Sequence, residues 1–124
     1  MHDLRLRAAI PMLRVASIDD ALPVYQALGF AIAWQHQLTP DAPRLTAVRH
    51  GTVEIYLTEH AVAPPGGVVY VETEGVDVLV AQARSRGFEP SFGPENRAWG
   101  DREAYFEDID GNVLRFGEPL AEPE

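Results

Sequence analysis

Cysteine is absent from the sequence, which excludes disulfide bonds, thiolate metal sites and cysteine nucleophiles. The apolar runs are far shorter than the roughly 20 residues that a membrane span needs, and residues 1–7 lack the apolar segment of a signal peptide. No glycine-rich phosphate loop, Gly-x-Ser-x-Gly sequence or basic patch with interleaved aromatics occurs. We therefore expect a cytoplasmic protein outside the phosphate-loop, serine-hydrolase and nucleic-acid-binding classes.

Positive charge is also scarce. The 10 Lys+Arg residues against 19 Asp+Glu residues give a net charge of −9, so nucleic acid and anionic membranes would repel the chain. This balance favours a cationic ligand, but a need for solubility explains it equally well. The 124 residues, 46% hydrophobic and 23% charged, predict one folded domain over residues 1–124.

An internal repeat organises the chain. Gly29 and Gly87 each follow a helix-like segment and precede phenylalanine, and the apolar runs 10–15 and 68–73 are separated by the same 58 residues. Two copies of one unit are therefore predicted, at about 8–60 and 66–118, with a linker at 61–67. Neither copy is large enough to bury a core alone. The acidic tail at 118–124 is expected to fray.

Each copy is predicted to contain a strand, a helix and then further strands. The first helix begins after the cap Ser17 or, since a proline suits only the first turn, near Asp20 so that Pro23 is tolerated. The stretch 89–99, with two prolines and a glycine, is interpreted as a long loop that could act as a lid. The predicted strands are 8–15, 30–37, 45–49, 53–57, 68–73, 101–107 and 113–117, and the second helix is 76–86.

Side-chain alternation predicts which strand residues line a ligand cup. The aliphatic residues at 53, 55 and 57 belong under a helix, so Glu54 and Tyr56 point to the opposite face. By the same reasoning Arg115 faces the cup. A buried Glu54 and a buried Arg115 would each need a partner, so we expect them to pair. That pair is either a structural ion pair or a polar anchor at the floor of a ligand site.

Histidine offers no local metal site. The four histidines, at positions 2, 36, 50 and 60, do not have the i, i+2 or i, i+4 spacing of a metal pair.

The sequence resembles the glyoxalase, bleomycin-resistance and dioxygenase superfamily, also called the vicinal oxygen chelate superfamily. The resemblance rests on the segments 9–13, 24–30 and 99–116, and the most specific part runs from Trp99-Gly100 to Asp108-Ile109-Asp110-Gly111-Asn112. It implies an α+β fold of two βαβββ modules that form an open, curled mixed sheet with a ligand cup. Ile109 replaces the usual proline of this signature, a change expected to affect only the turn.

The resemblance also bears on metal binding. Metal-dependent members hold a divalent ion with four side chains, and their positions correspond here to Ile10, Glu54, Val68 and Arg115. Only Glu54 could coordinate a metal, and Arg115 would repel one. The resemblance therefore implies a protein with no metal and no cofactor, of the bleomycin-resistance branch.

Members of that branch are homodimers that bind cationic antibiotics in grooves at the dimer interface. The resemblance implies that Pro11 marks a first strand exchanged between protomers. Aromatic walls are expected from Trp34, Tyr56, Tyr70 and Trp99, whereas Glu72 replaces an aromatic residue of relatives. The complete set of predicted ligand-binding residues is Trp34, Glu54, Tyr56, Tyr70, Glu72, Trp99, Arg102, Tyr105 and Arg115.

Three functions follow from these observations. The first is a metal-free homodimer that sequesters a cationic small molecule of the bleomycin type and so confers resistance. The second is a metal-dependent glyoxalase or dioxygenase. The third is a binding domain for another ligand, with no role in resistance.

Overall fold

A computed structural model describes residues 3–121, so the predictions for His2 and for residues 122–124 lie outside the described residues. The elements occur in the order β1 (Met12–Arg14), α1 (Ile18–Ala27), β2 (Ala31–Gln37), β3 (Arg44–His50), β4 (Val53–Thr58), β5 (Val68–Glu72), α2 (Val76–Ser85), β6 (Phe92–Asn96), β7 (Asp101–Glu107) and β8 (Val113–Pro119).

The two predicted βαβββ modules are confirmed, and each forms its own four-stranded sheet. The strand order is β1-β4-β3-β2 in the first sheet and β5-β8-β7-β6 in the second. In both, the first strand is parallel to the last, and the other pairs are antiparallel. The fold is thus mixed α+β, but divided into two sheets.

The core lies between the helices and one face of each sheet. Buried residues of α1 and α2 join those of β4, β7 and β8 in a single hydrophobic cluster, to which Ile55, Leu57, Phe106, Leu114 and Phe116 contribute. Alternation therefore predicted the core face of β4 and β8 correctly. The predicted inward residues of α2 are also in place, since Val76, Val80 and Ala83 are buried and Leu79 packs on the cluster.

Helix α1 begins at Ile18 rather than near Asp20. The Ser17 hydroxyl caps it by accepting a hydrogen bond from the Asp20 backbone N–H at 3.3 Å. Pro23 consequently lies inside the helix, where its missing N–H leaves out one backbone hydrogen bond. Gly29 follows the helix with a φ of 89°, as expected for a left-handed terminator.

Two segments that were predicted to be irregular contain strand residues. The supposed loop 89–99 contains β6, which pairs with β7 around a bulge between Phe92 and Glu95. The supposed frayed tail begins inside β8, and Glu118 accepts hydrogen bonds from the backbone N–H groups of Gly75 and Val76 at the start of α2. Glu59 does the same for Ile18 at the start of α1. The repeat thus extends to the helix caps, and Glu118 belongs to the fold.

The turn between β7 and β8 fastens the two modules together. The buried Asp108 carboxylate accepts hydrogen bonds from the Tyr25 hydroxyl on α1 at 2.8 Å and from the Asn112 backbone and side-chain N–H groups. Asn112 in turn donates to the Arg14 carbonyl and accepts from the Gly67 N–H. Burial, followed by the neighbouring Asp108 charge, raises the pKa of Tyr25. Asp108 and Asn112, in the most specific part of the sequence pattern, therefore link the two modules through hydrogen bonds.

Candidate functional site

The candidate site lies on the face of the second sheet that points away from the helices. On β7, Ala104 and Phe106 enter the core, so Glu103 and Tyr105 occupy the opposite face. The register places Tyr70, Arg115, Tyr105 and Phe92 in one row across the four strands. We call these residues, with Glu103, Arg97 and Trp99, the aromatic face.

Glu103 organises the aromatic face. Its side chain is fully buried, and its Oε1 accepts hydrogen bonds from the Tyr105 hydroxyl at 2.9 Å and from Arg115 Nη2 at 3.0 Å. Its Oε2 accepts from the Trp99 indole N–H at 2.9 Å. The Tyr70 hydroxyl lies 3.3 Å from Oε2 and 3.0 Å from Asp101 Oδ2, so its one proton is shared between the two carboxylates.

These contacts determine the ionisation of the site. Burial alone raises the pKa of Glu103, but the hydrogen bonds from Trp99, Arg115 and Tyr105 outweigh it and lower the pKa to about 2. Partial burial and the two carboxylates raise the pKa of Tyr70 to about 12. At neutral pH the site therefore holds an ionised carboxylate surrounded by neutral tyrosines and a guanidinium.

Cations stack on the aromatic rings along this face. The Arg115 guanidinium lies 4.6 Å from the Tyr105 ring centroid, and Tyr105 lies 4.7 Å from Phe92. The Arg97 guanidinium lies over both Phe92 and Trp99, at 4.6 and 4.5 Å. The face is thus a continuous row of flat groups stacked against one another, with the exposed Trp99 at one end.

Glycine makes room for this row. A Cβ on Gly117 would overlap the Tyr70 hydroxyl, so only glycine lets that ring lie across β8 toward Glu103. Gly93 has a φ of 76° and approaches the Glu103 carbonyl too closely for a Cβ. Both glycines therefore serve the packing around Glu103.

The first sheet contributes a smaller aromatic group on the corresponding side. Trp34 and Tyr56 make an edge-to-face contact with centroids 5.1 Å apart. An open groove of about 410 Å³ lies between β4 and β5, and Glu54, Tyr70 and Glu72 are among the residues that line it. Carboxylates and one tyrosine thus line the passage between the two sheets.

Residues that could coordinate a metal are not grouped at this site. Among residues 3–121, no three His, Asp or Glu side chains lie close enough together to hold an ion. Of the four positions implied by the resemblance, Glu54 is paired with Arg49 at 3.1 Å, and Arg115 with Glu103. The donor set present does not fit a divalent metal.

Comparison with known proteins agrees with this architecture. A family model described as glyoxalase superfamily protein matches residues 1–122. The chain belongs to the glyoxalase superfamily. No match was found among curated proteins, whereas 157 chains of known structure match.

Three of these structures illustrate the similarity of the glyoxalase-superfamily fold. A bleomycin-binding protein complexed with bleomycin is 21% identical with a TM-score of 0.73, and the alignment covers 94% of this chain and 100% of that one. A bleomycin resistance determinant from transposon Tn5 is 22% identical with a TM-score of 0.74 and the same coverage. TnmS3, an antibiotic-binding protein from Streptomyces sp. CB03234, is 27% identical with a TM-score of 0.69 and coverages of 94% and 99%.

The structure brings together only part of the predicted residue set. Tyr70, Trp99, Tyr105 and Arg115 meet at Glu103, and Trp34, Glu54, Tyr56 and Glu72 lie on the first sheet or along the groove. The predicted Glu54–Arg115 pair is wrong, because the two residues belong to different sheets and each has its own partner.

Arg102 lies outside the aromatic face of this glyoxalase-superfamily chain. Successive strand residues point to alternate faces of the sheet. Arg102 and Tyr105 are three positions apart on β7, so their side chains lie on opposite faces. The Arg102 guanidinium instead donates three hydrogen bonds to Asp77 near the start of α2 and one to Asn96. Its place in the predicted ligand-binding set therefore stays a prediction, since Arg102 lies outside the aromatic face.

Pro11 lies just before β1. Its carbonyl accepts a hydrogen bond from Tyr56 N–H at 2.9 Å, and β1 pairs with β4 of the same chain. The exchange of this strand between protomers therefore stays a prediction.

Glu103, Arg97 and Phe92 are the site residues that the sequence reasoning missed. The signal for Glu103 was present, since alternation opposite Ala104 and Phe106 places it beside Tyr105. Arg97 and Phe92 were hidden by the interpretation of 89–99 as a loop.

No described helix of the chain is long and apolar enough to cross a membrane.

The lowered pKa of Glu103 predicts an acid-dependent loss of stability. Because its pKa is about 2 in the folded chain and near its ordinary value of 4.5 when unfolded, the charge stabilises the fold above pH 4.5. As the pH falls from 4.5 to 2, about 3 kcal/mol of that stability should be lost. Urea unfolding of the wild type and of Glu103→Gln measures this loss. The difference between their free energies of unfolding should be largest at pH 7 and shrink below pH 4.5. A difference independent of pH would contradict the prediction.

Proposed function

We propose that this protein binds and sequesters a small-molecule antibiotic of the bleomycin type, without catalysis. The observation that carries the proposal is the aromatic face, where flat side chains surround the buried Glu103. Support also comes from TnmS3, which is described as an antibiotic-binding protein and is 27% identical to this chain. One-to-one capture requires a complementary surface and no turnover, and flat side chains grouped around a few polar groups are typical of such surfaces.

The proposed ligand carries positive charge. Glu72 lines the groove between the sheets beside Glu54, which is already paired with Arg49, and the net charge of −9 would attract and retain a cation. A planar cationic compound could stack on the aromatic face while its charged end lies near these carboxylates.

Calorimetric titration with metal-free and copper-loaded bleomycin tests the proposal. We expect saturable binding near one ligand per chain, and resistance to bleomycin in a host that expresses the gene. Absence of binding to either form would contradict the choice of ligand. Metal analysis of protein purified without chelator tests the alternative, since stoichiometric zinc, iron, nickel or manganese would instead support a metal-dependent glyoxalase or dioxygenase.

Trp99 is predicted to be a stacking platform for the ligand. Trp99 as a whole residue is 57% exposed, and its indole N–H donates a hydrogen bond to Glu103. Because stacking on one aromatic side chain is worth about 1–3 kcal/mol, Trp99→Ala should weaken bleomycin binding roughly ten- to hundredfold. Val78→Ala, which alters an exposed residue on α2, is the control and should leave the dissociation constant unchanged. Equal affinities for the two variants would show that Trp99 does not contact the ligand.

We also propose that two copies of the chain form a homodimer that completes the cup. Residues 3–9 are exposed and lie outside any strand, and Leu4 and Leu6 are 90% and 89% exposed. Apolar side chains that are exposed and not packed in the core of their own chain are suited to burial against a second copy.

Analytical ultracentrifugation should therefore give twice the single-chain mass of 13.7 kDa at micromolar concentration. Deletion of residues 1–9, or replacement of Leu4 and Leu6 by alanine, should shift the equilibrium toward monomer. Val62→Ala, equally exposed in the linker, should not. A wild-type mass near 13.7 kDa would contradict the dimer.

A further inference from the structure

Arg97 is a cation without a carboxylate partner on the aromatic face. Its guanidinium lies over the rings of both Phe92 and Trp99, at 4.6 and 4.5 Å from their centroids. Within residues 3–121 five arginines form ion pairs, and Arg97 is not among them. The neighbouring Arg115 differs, because its charge is balanced by Glu103.

The stacked position determines which groups Arg97 can bind. A guanidinium that lies over aromatic rings has a flat face covered by them, but its N–H groups point outward in its own plane. These donors match the two oxygens of a carboxylate, which a guanidinium binds in a bidentate manner. The rings also limit the motion of the side chain, so little conformational entropy remains to be lost when an anion binds.

The surroundings of Arg97 favour a ligand that is flat as well as oxygen-bearing. Trp99 is more than half exposed, and Phe92 continues into the row of Tyr105 and Arg115. A planar compound stacked on the exposed Trp99 would bring an oxygen on its edge close to the Arg97 N–H groups.

We propose that Arg97 forms a subsite for an anionic oxygen, such as a carboxylate or an enolate, on the edge of a planar aromatic ligand. This inference rests on the proposed function. It adds to the carboxylates of the groove a second specificity determinant of opposite sign, so a ligand that used both would be amphoteric, with a positive end and an acidic edge.

Calorimetry with two matched probes tests the subsite. Anthraquinone-2-carboxylate and anthraquinone-2-carboxamide share the same ring system and differ in charge. We expect the carboxylate to bind at least tenfold more tightly to the wild type at physiological salt. The net charge of −9 would favour the opposite order, so this preference could not arise from the overall field.

The variants assign the preference to Arg97. Arg97→Gln should abolish it, and Arg97→Lys should retain only part, because lysine lacks the planar donor fork. Arg84→Gln, on the exposed end of α2, is the control and should bind both probes as the wild type does. Thermal unfolding of each variant verifies that the fold is kept.

Two results would overturn the proposal. The first is equal binding of the two probes to the wild type, and the second is a carboxylate preference that persists in Arg97→Gln. Either would leave the proposed function intact as long as the carboxamide or bleomycin binds. Failure of both probes and of bleomycin to bind would overturn the subsite and the proposed function together.

Discussion

Replacing Asp108 by alanine is expected to lower the free energy of unfolding by about 3–5 kcal/mol. The Asp108 carboxylate accepts hydrogen bonds from the Tyr25 hydroxyl and from the backbone N–H groups of Asp110 and Asn112. Each hydrogen bond to a charged group is worth about 1.5–3 kcal/mol, and such contributions do not add fully. Because Tyr25 belongs to the first module and Asp108 to the second, the loss should destabilise both.

Two controls isolate the role of the carboxylate. Tyr25→Phe removes one hydrogen bond and should cost about 1–3 kcal/mol. Asp41→Ala alters an exposed aspartate in the β2–β3 turn and should change stability by about 0.5 kcal/mol or less. Urea denaturation monitored by circular dichroism measures all three variants. If Asp108→Ala lowered the free energy of unfolding no more than Tyr25→Phe does, the Asp108 carboxylate would not be the main link between the two modules.

The module architecture was predictable because it depends on local patterns. Alternation in 53–57 and 113–117 indicated the core faces of β4 and β8, and Gly29 and Gly87 indicated the helix ends, where both have a φ of 89°. These signals arise from the period of a strand and from the left-handed conformation, which the residues themselves determine.

Charge partners were not predictable in the same way. Glu54 and Arg115 occupy corresponding faces of two modules, but the sequence does not state that the modules form separate sheets. Glu103 lies next to Arg115 only because β7 and β8 pair in one register, in which Tyr105 lies opposite Arg115. The pairing register of two strands is a long-range property of the fold. The partner of a residue on the neighbouring strand can therefore be predicted only when the register is known.

Strand β6 forms because it pairs with β7, although its own residues disfavour a strand. Gly93 and Pro94 disfavour a regular strand, and on that ground the segment was interpreted as a loop. The bulge between Phe92 and Glu95 absorbs the irregularity, and pairing with β7 supplies the remaining hydrogen bonds. As a consequence, Phe92 on β6 and Arg97 immediately after it reach the aromatic face.

Replacing Glu103 by leucine is expected to cost about 3–5 kcal/mol, because it leaves Arg115 without a counter-charge beside a buried apolar group. It also leaves the Trp99 indole N–H and the Tyr105 hydroxyl without their acceptor. The double variant Glu103→Leu with Arg115→Met should cost clearly less than the sum of the two single changes, since no unpaired charge remains.

The pair on the other sheet serves as the control for this cycle. Arg49 and Glu54 also form an ion pair, but the Arg49 side chain is half exposed, so Glu54→Leu should cost no more than about 1 kcal/mol. Additive effects of Glu103→Leu and Arg115→Met would show that the two charges do not depend on each other. The cycle also tests the site, since Trp99 is held by Glu103 and not by Arg115. Both variants that lack Glu103 should therefore lose affinity for bleomycin, even where the second substitution restores stability.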